Sequence, residues 1–331
     1  MATSSPTASD SRRIYSGDEA NERVRSLAER RTGGMLEAGE SVTTGIPYFD
    51  ENNPPLMRGE LAVLLGLTSH GKTLAAATIG NHVLRTLGNS GDRALLIVMT
   101  EETVEARRVQ MWGDSAVTIR DILNGRASIE QIDRNITKTR GQPVFYLGSV
   151  TGAEDVATGD GAIRPSTVAD AINQLLRRGV SPELVIVDHA HDMEPDRPYS
   201  DDQQRCDWVA DGLKRLANYL GNYCPMLVLG QVKKELETRA PLDAQPNAYD
   251  IKYMQSLIAR SRDVYSVYYP QRHKANGMTF STVHGDFKAS RGLFLMHCAK
   301  ARNGRCAGDT VPMSAMDDDG KWSNQLFEMR S

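Results

Sequence analysis

An α/β fold with a mainly parallel, twisted sheet flanked by helices is predicted by three observations. From about Glu40 onward, short apolar runs alternate with amphipathic segments. The runs are continuous and not alternating in polarity, which suits strands buried on both faces. A glycine-containing turn, "GLTSHGKT" at 66–73, joins one such run to a helical pattern, as a strand–turn–helix unit requires.

Residues 1–15 are Ser/Thr-rich, with no apolar core behind their charges. They predict a disordered arm and not a secretory signal. Residues 16–39 predict a linker helix and connector, capped by Ser16 or Asp18 and ended by Gly33-Gly34. Its stripe of Ala20, Val24, Leu27 and Ala28 is narrow and buries little by itself.

Residues 40–331 predict one domain. The runs "ELAVLLG", "RALLIVMT", "PVFYLG", "ELVIVDH", "PMLVLGQ", "DVYSVYY" and "LFLMHCAK" are its strands. Helical patterns over Thr73–Leu87, Thr167–Arg178 and Gln203–Leu220 separate several of them. From Asp263 the chain is strand-rich with turn signals, which predicts C-terminal antiparallel strands. The polar stretch 275–292 has no assignment.

A net charge of −3 excludes a globally basic surface but not a local basic groove. The cysteines Cys206, Cys224, Cys298 and Cys306 show neither CxxC nor zinc spacing and read as reduced thiols of a cytoplasmic protein. No apolar stretch approaches the roughly 18 residues of a membrane span.

The turn at 66–73 has the spacing of a nucleotide phosphate loop. Gly66 and Gly71 let the backbone wrap phosphates, with Ser69, His70 and Leu74 lining the same turn. Lys72 supplies charge to the β- and γ-phosphates, Thr73 offers a hydroxyl to Mg²⁺, and the helix start adds its dipole. His70 reads as a spacer within the motif. "ELVIVDHAHDM" ends an apolar run in Asp188, at the strand edge where ligands bind in open α/β sheets, so Asp188 is the second candidate for the Mg²⁺ shell. Hydrolysis also needs a group that polarises water. "LLIVMTEET" offers Glu101 and Glu102, which equally suit a helix start. "PMLVLGQ" ends in Gln231, an amide able to sense the γ-phosphate or to satisfy local backbone.

With these residues in place the chain resembles the motor domain of the DnaB-type replicative helicases, within the RecA-like fold. "TTGIPYFDENNPPLMRGELAVLLG", "VMTEETVEA", "DILNG", "VIVDHAHDM", "LKRLANYLGNYCPMLVLGQVKKELETR" and "CAKARNG" resemble the family's segments in the same order, from about Ala20 to Ser323. The phosphate loop is the tightest of these matches, and the shared order carries the resemblance.

It implies an ATP-hydrolysing, Mg²⁺-dependent ring, usually a hexamer, with the nucleotide between subunits. Glu101 and not Glu102 becomes the water-polarising group. Lys300 and Arg302 become charges supplied to the neighbour's γ-phosphate, and the linker helix packs on the adjacent motor. Single-stranded DNA would thread the ring on loops carrying Lys233, Lys234, Arg239 and Lys252. Taken alone, "KAR" reads as a solvated basic edge.

Three departures stand out. Tyr253 and Gln255 replace an acid and a glycine of the family's DNA loop, and His191 stands where the family has glutamine. No counterpart of the family's N-terminal domain precedes residue 40. They keep open a RecA-like recombinase or filament-forming ATPase, and an ATP-dependent scaffold that does not unwind DNA.

Overall fold

A computed structural model describes Glu22, Arg25 and residues 41–330, apart from 89, 114, 116, 149–161, 318 and 319. The chain divides into two compact units, Met1–Ala38 and Gly39–Ser331. In the first, Glu22 and Arg25 are helical and exposed, while the rest of the proposed arm and linker helix lies outside the described residues.

The larger unit is built on a nine-stranded sheet. Its strands are β3 (Leu61–Gly66), β4 (Arg93–Met99), β5 (Val144–Leu147), β6 (Ser181–Asp188), β7 (Met226–Gln231), β8 (Asp263–Tyr268), β11 (Leu293–Ala301), β12 (Thr310–Met316) and β13 (Trp322–Glu328). The order is β13-β12-β11-β8-β3-β7-β6-β4-β5. The six strands from β8 to β5 pair in parallel, and β11, β12 and β13 add on antiparallel. This is the RecA-like arrangement.

The central strands carry apolar runs because both faces are covered. On one face Ala62, Leu64, Leu95, Ile97, Leu227 and Leu229 pack against the helix Lys72–Leu87. On the other, Leu61, Val63, Leu65, Leu96, Val185 and Val228 pack against the helices Pro165–Arg177 and Asp202–Tyr219. Successive side chains of one strand enter opposite layers, as the two-residue period of a strand dictates. Numbered in chain order, the helices are α1 (Pro47–Asn52), α2 (Lys72–Leu87), α3 (Val104–Gln110), α4 (Ile119–Leu123), α5 (Ile129–Lys138), α6 (Pro165–Arg177), α7 (Asp202–Tyr219) and α8 (Gln255–Arg260).

Two details differ from the sequence expectation. β5 is an edge strand, and its four residues are half-buried, not enclosed on both faces. The unassigned stretch 275–292 carries a hairpin of β9 (Thr279–Thr282) and β10 (Gly285–Lys288). Phe280 and Ala289 seat it on Tyr268 and Leu295. Its apolar anchors are too sparse to announce a strand pair. A further short pair joins β1 (Ser41–Val42) to β2 (Leu56–Met57). No helix among the described residues is long and apolar enough to cross a membrane.

Candidate functional site

The parallel strands β3, β4, β6 and β7 bring Gly66, Met99, Asp188 and Gln231 to one edge of the sheet through their registers. The turn after β3 enters α2 through Gly71, whose φ is +87°. A side chain there would be strained, and its Cβ would also stand 2.5 Å from the ring of Phe294. Ser69 also holds a positive φ, of 63°, a conformation that costs a non-glycine residue free energy and is tolerated where structure demands it. The Lys72 ammonium donates to the Gly66 carbonyl at 2.9 Å. Burial pushes it below the usual lysine range, opposed by Asp188 and Glu101.

The Thr73 hydroxyl donates to Asp188 Oδ2 at 3.1 Å. These two hard oxygen donors, one at a helix start and one at a strand end, fit a Mg²⁺ ion. Asp188 also pairs with Arg107 of α3, a guanidinium that sequence reading missed. Arg107 is 2% exposed and reaches Glu102 at 3.3 Å as well. Glu102 further accepts from Gln110 at 3.2 Å. Desolvation raises the Glu102 pKa and Arg107 opposes it. The partnership joins residues far apart in sequence, and "VEARRV" contains nothing that selects Arg107 over Arg108.

Glu101 has a different environment. Its side chain is largely exposed at the cleft, with Oε2 3.2 Å from His189 Nε2. The same imidazole nitrogen lies 3.4 Å from Asp192. Thr100 fixes the ends of β4 and β6 together, donating its N–H to the Asp188 carbonyl at 2.9 Å and its hydroxyl to the His189 carbonyl at 3.0 Å. The tie sets Glu101 beside Asp188. Among the described residues, Glu101, His189 and Asp192 form a group able to offer one ligand atom each within 4.8 Å of one another.

A cleft of about 520 Å³ runs along this edge. Ser69, Gly71, Lys72, Thr73, Glu101, Glu102, Asp188, His189 and Gln231 are among the residues that line it, with Leu67, Thr68 and Leu74. Tyr269, Arg272, Phe294, Trp322 and Asn324 line it as well. Tyr269 and Phe294 stack at 4.3 Å, and Trp322 meets both edge-on. This aromatic wall comes from the C-terminal strands and carries no local sequence signal.

His70 does not line the cleft. Its Nδ1 accepts from the Tyr269 N–H at 3.2 Å and its ring stacks on Tyr268. Burial, with His273 and Arg272 nearby, pushes its pKa down to about 3, so it is a neutral brace under the loop. His191 is also buried. Its Nδ1 accepts from the Gln231 N–H at 3.2 Å, and Nε2 lies 2.6 Å from the Lys252 carbonyl. It therefore ties the end of β7 to the loop that carries Lys252. Desolvation lowers its pKa to about 4.

Lys300 and Arg302 lie elsewhere. Lys300 and Ala301 pair with Val264 and Asp263, and the Arg302 N–H donates to the Arg262 carbonyl at 3.1 Å. Arg262 in turn bonds to Leu61, the first residue of β3. They thus sit at the opposite edge of the sheet from Gly66, on the order of 16 Å away along the strand at about 3.3 Å per residue. The Lys300 ammonium donates to the carbonyls of Ile258 and Ser261, both at 2.7 Å. It caps the end of α8 within its own chain, and Arg302 is the exposed cation of the pair.

Of the basic loop residues, Lys233 and Lys234 are exposed and Lys252 is half-buried. Arg239 is committed to the buried Asp250, at 2.9 and 3.3 Å. All four cysteines are buried and free.

No curated protein matches the chain. The fold is similar to a solved structure described as an ATPase domain, with a TM-score of 0.73 and 15% identity over 96% of this chain and 100% of that one. It is also similar to "The Structure Of A DnaB-Like Replicative Helicase And Its Interactions With Primase", with a TM-score of 0.69 and 14% identity over 92% of this chain and 66% of that one. At such identities the likeness concerns the fold. The family model of the DnaB-like helicase C-terminal domain matches residues 41–318, most of the chain, and the protein belongs to that family of helicase ATPase domains.

Proposed function

We propose that the protein is an ATP-hydrolysing motor of DnaB type that works as a ring, usually hexameric, around single-stranded DNA. The observation that carries the reading is the division of the site. Phosphate-binding, metal-binding and water-polarising candidates share one cleft, while Lys300 and Arg302 stand at the opposite sheet edge. A chain cannot bring Arg302 to its own phosphate loop across that distance. A neighbouring copy can.

On this reading the loop amides and Lys72 bind the β- and γ-phosphates, and the helix dipole adds to the attraction. Thr73 and Asp188 would hold Mg²⁺, which supplies charge neutralisation at the phosphates. Glu101 accepts hydrogen bonds from the attacking water and orients it in line, with His189 fixing the carboxylate. Gln231 senses the γ-phosphate by hydrogen bonding. Its backbone link through His191 to Lys252 relates that end of β7 to the DNA loop. Arg302 of the next subunit stabilises the transition-state charge, as an arginine finger does. Lys300 positions it by holding the end of α8. Lys233, Lys234 and Lys252 contact phosphates, and Arg239 braces their loop.

The test is unwinding of a forked duplex. ATP-dependent strand separation abolished by Lys72→Ala is expected. ATP turnover that ignores single-stranded DNA at low salt would favour an ATP-dependent scaffold instead. Open helical filaments in electron micrographs would favour the recombinase-like reading.

A further inference from the structure

We propose that the loop between β7 and α8 is a base-stacking platform for single-stranded nucleic acid, built on Tyr249 and Tyr253. The proposal rests on the DNA-motor reading for its ligand and adds contacts to the bases, where that reading has contacts only to phosphates.

The loop is folded back on itself. Val232 bridges Ile251 antiparallel, the Lys233 N–H donates to the Asp250 carbonyl at 2.8 Å, and the Lys252 N–H donates to the Gln231 carbonyl at 3.0 Å. This pairing gathers Lys233, Lys234 and Lys252 with the two tyrosines beside the end of β7.

Tyr249 is 83% exposed, although buried tyrosines elsewhere in the chain fill core space. The turn that carries it is braced on both sides. Asn247 accepts from the Tyr249 N–H at 2.8 Å, and the buried Asp250 accepts from Asn247 at 2.9 Å and from Arg239. The ring is therefore held out on a fixed base, and much of the ordering cost of binding is met in advance.

Tyr253 is 40% exposed and holds a φ of 59°, unfavourable for a side chain of its size. Gln203 donates to its carbonyl at 2.9 Å, and the Lys252 ammonium stands 5.2 Å from its ring centre. Exposed rings on a loop that also carries three lysines suit a polyanion that presents flat π-faces. A single strand does so at every nucleotide, whatever its sequence. A protein partner would have to set acidic and stacking side chains at matching positions, whereas a single strand repeats both along its length.

The experiment measures binding of the full chain to a fluorescent oligothymidylate and to an abasic strand of equal length, at low salt. The wild type should bind the thymidylate about tenfold or more tighter. Tyr249→Ser should weaken thymidylate binding by about 5- to 100-fold and leave the abasic affinity unchanged, while Tyr249→Phe keeps the wild-type preference. Tyr253→Ser should act in the same direction. Because Tyr249 is exposed, its variants should melt with the wild type. A wild type that binds both strands equally, with both serine variants unaltered, overturns the stacking platform and leaves the DNA-motor reading standing. A wild type that binds neither strand overturns both.

Discussion

Replacing Asp188 by asparagine preserves its shape and removes its charge, and the consequence for stability follows from Arg107. The guanidinium is 2% exposed against a carboxylate 7% exposed, and its Nε has no hydrogen-bond partner among the described residues. Breaking a buried ion pair by removing one partner costs about 3–5 kcal/mol, because the other charge stays buried. Here Glu102 remains 3.3 Å away. It is itself about one-third exposed, so it recovers only part, and about 2–3 kcal/mol is the expected loss. For a unit of this size each kcal/mol corresponds to about 1.7 °C, which gives a fall of about 3–5 °C in Tm. Calorimetry of Asp188→Asn, Arg107→Met and the double variant tests this. The double variant should lose about 2 kcal/mol less than the sum of the single ones. Strict additivity would refute the pairing. Asp188→Asn should also lose the Mg²⁺-dependent part of any thermal shift caused by ATP.

Other outcomes follow from the same geometry. Gly71→Ala forces a side chain into a left-handed conformation and against Phe294. It should cost about 1–3 kcal/mol in stability and weaken nucleotide binding, read by calorimetry and a fluorescent ATP analogue. His191→Leu removes the tie between Gln231 and the Lys252 loop. Stimulation of ATP turnover by DNA should fall several-fold more than the basal rate, and equal losses in both would reduce His191 to a structural residue. His70 and His191 titrate at about 3 and about 4 in the folded chain, below the roughly 6.5 of an unfolded histidine. The unfolded chain therefore takes up more protons between those values. Stability should fall as pH drops below about 6.5, by about 1.4 kcal/mol per pH unit for each residue, and level off below the folded values. Melting curves from pH 7 to 4.5 check this, and a flat Tm for wild type beside a sloping one for His191→Leu would contradict it.

The fold was legible because its signals are contiguous. Most central strands carry a contiguous apolar run, and the phosphate loop lies within eight residues. The same holds for Asp188 and Gln231, which end such runs. Glu101 was distinguished from Glu102 by family resemblance, and the structure gives the two different surroundings: one at the cleft beside His189, the other bound by Arg107 and Gln110. What escaped is pairwise and distant. Arg107 meets Asp188 across 81 positions of sequence. The wall of Tyr269, Phe294 and Trp322 is assembled from separate strands. Arg239 and Lys300 looked like free cations, because charge is visible in a sequence and a committed partner is not. Asp250 holds the first and the carbonyls closing α8 hold the second. β9 and β10 were hidden for a different reason: a short hairpin needs only Phe280 and a few neighbours for its apolar face.

Whether the phosphate loop is half of a site completed by Arg302 of another copy is measured by complementation. Lys72→Ala and Arg302→Ala subunits should each hydrolyse ATP poorly on single-stranded DNA. Mixed one to one, they should regain turnover, since random assembly joins an intact Lys72 to an intact Arg302 at roughly a quarter of interfaces. A mixture no more active than either variant alone, in assemblies of wild-type size, would contradict the shared site.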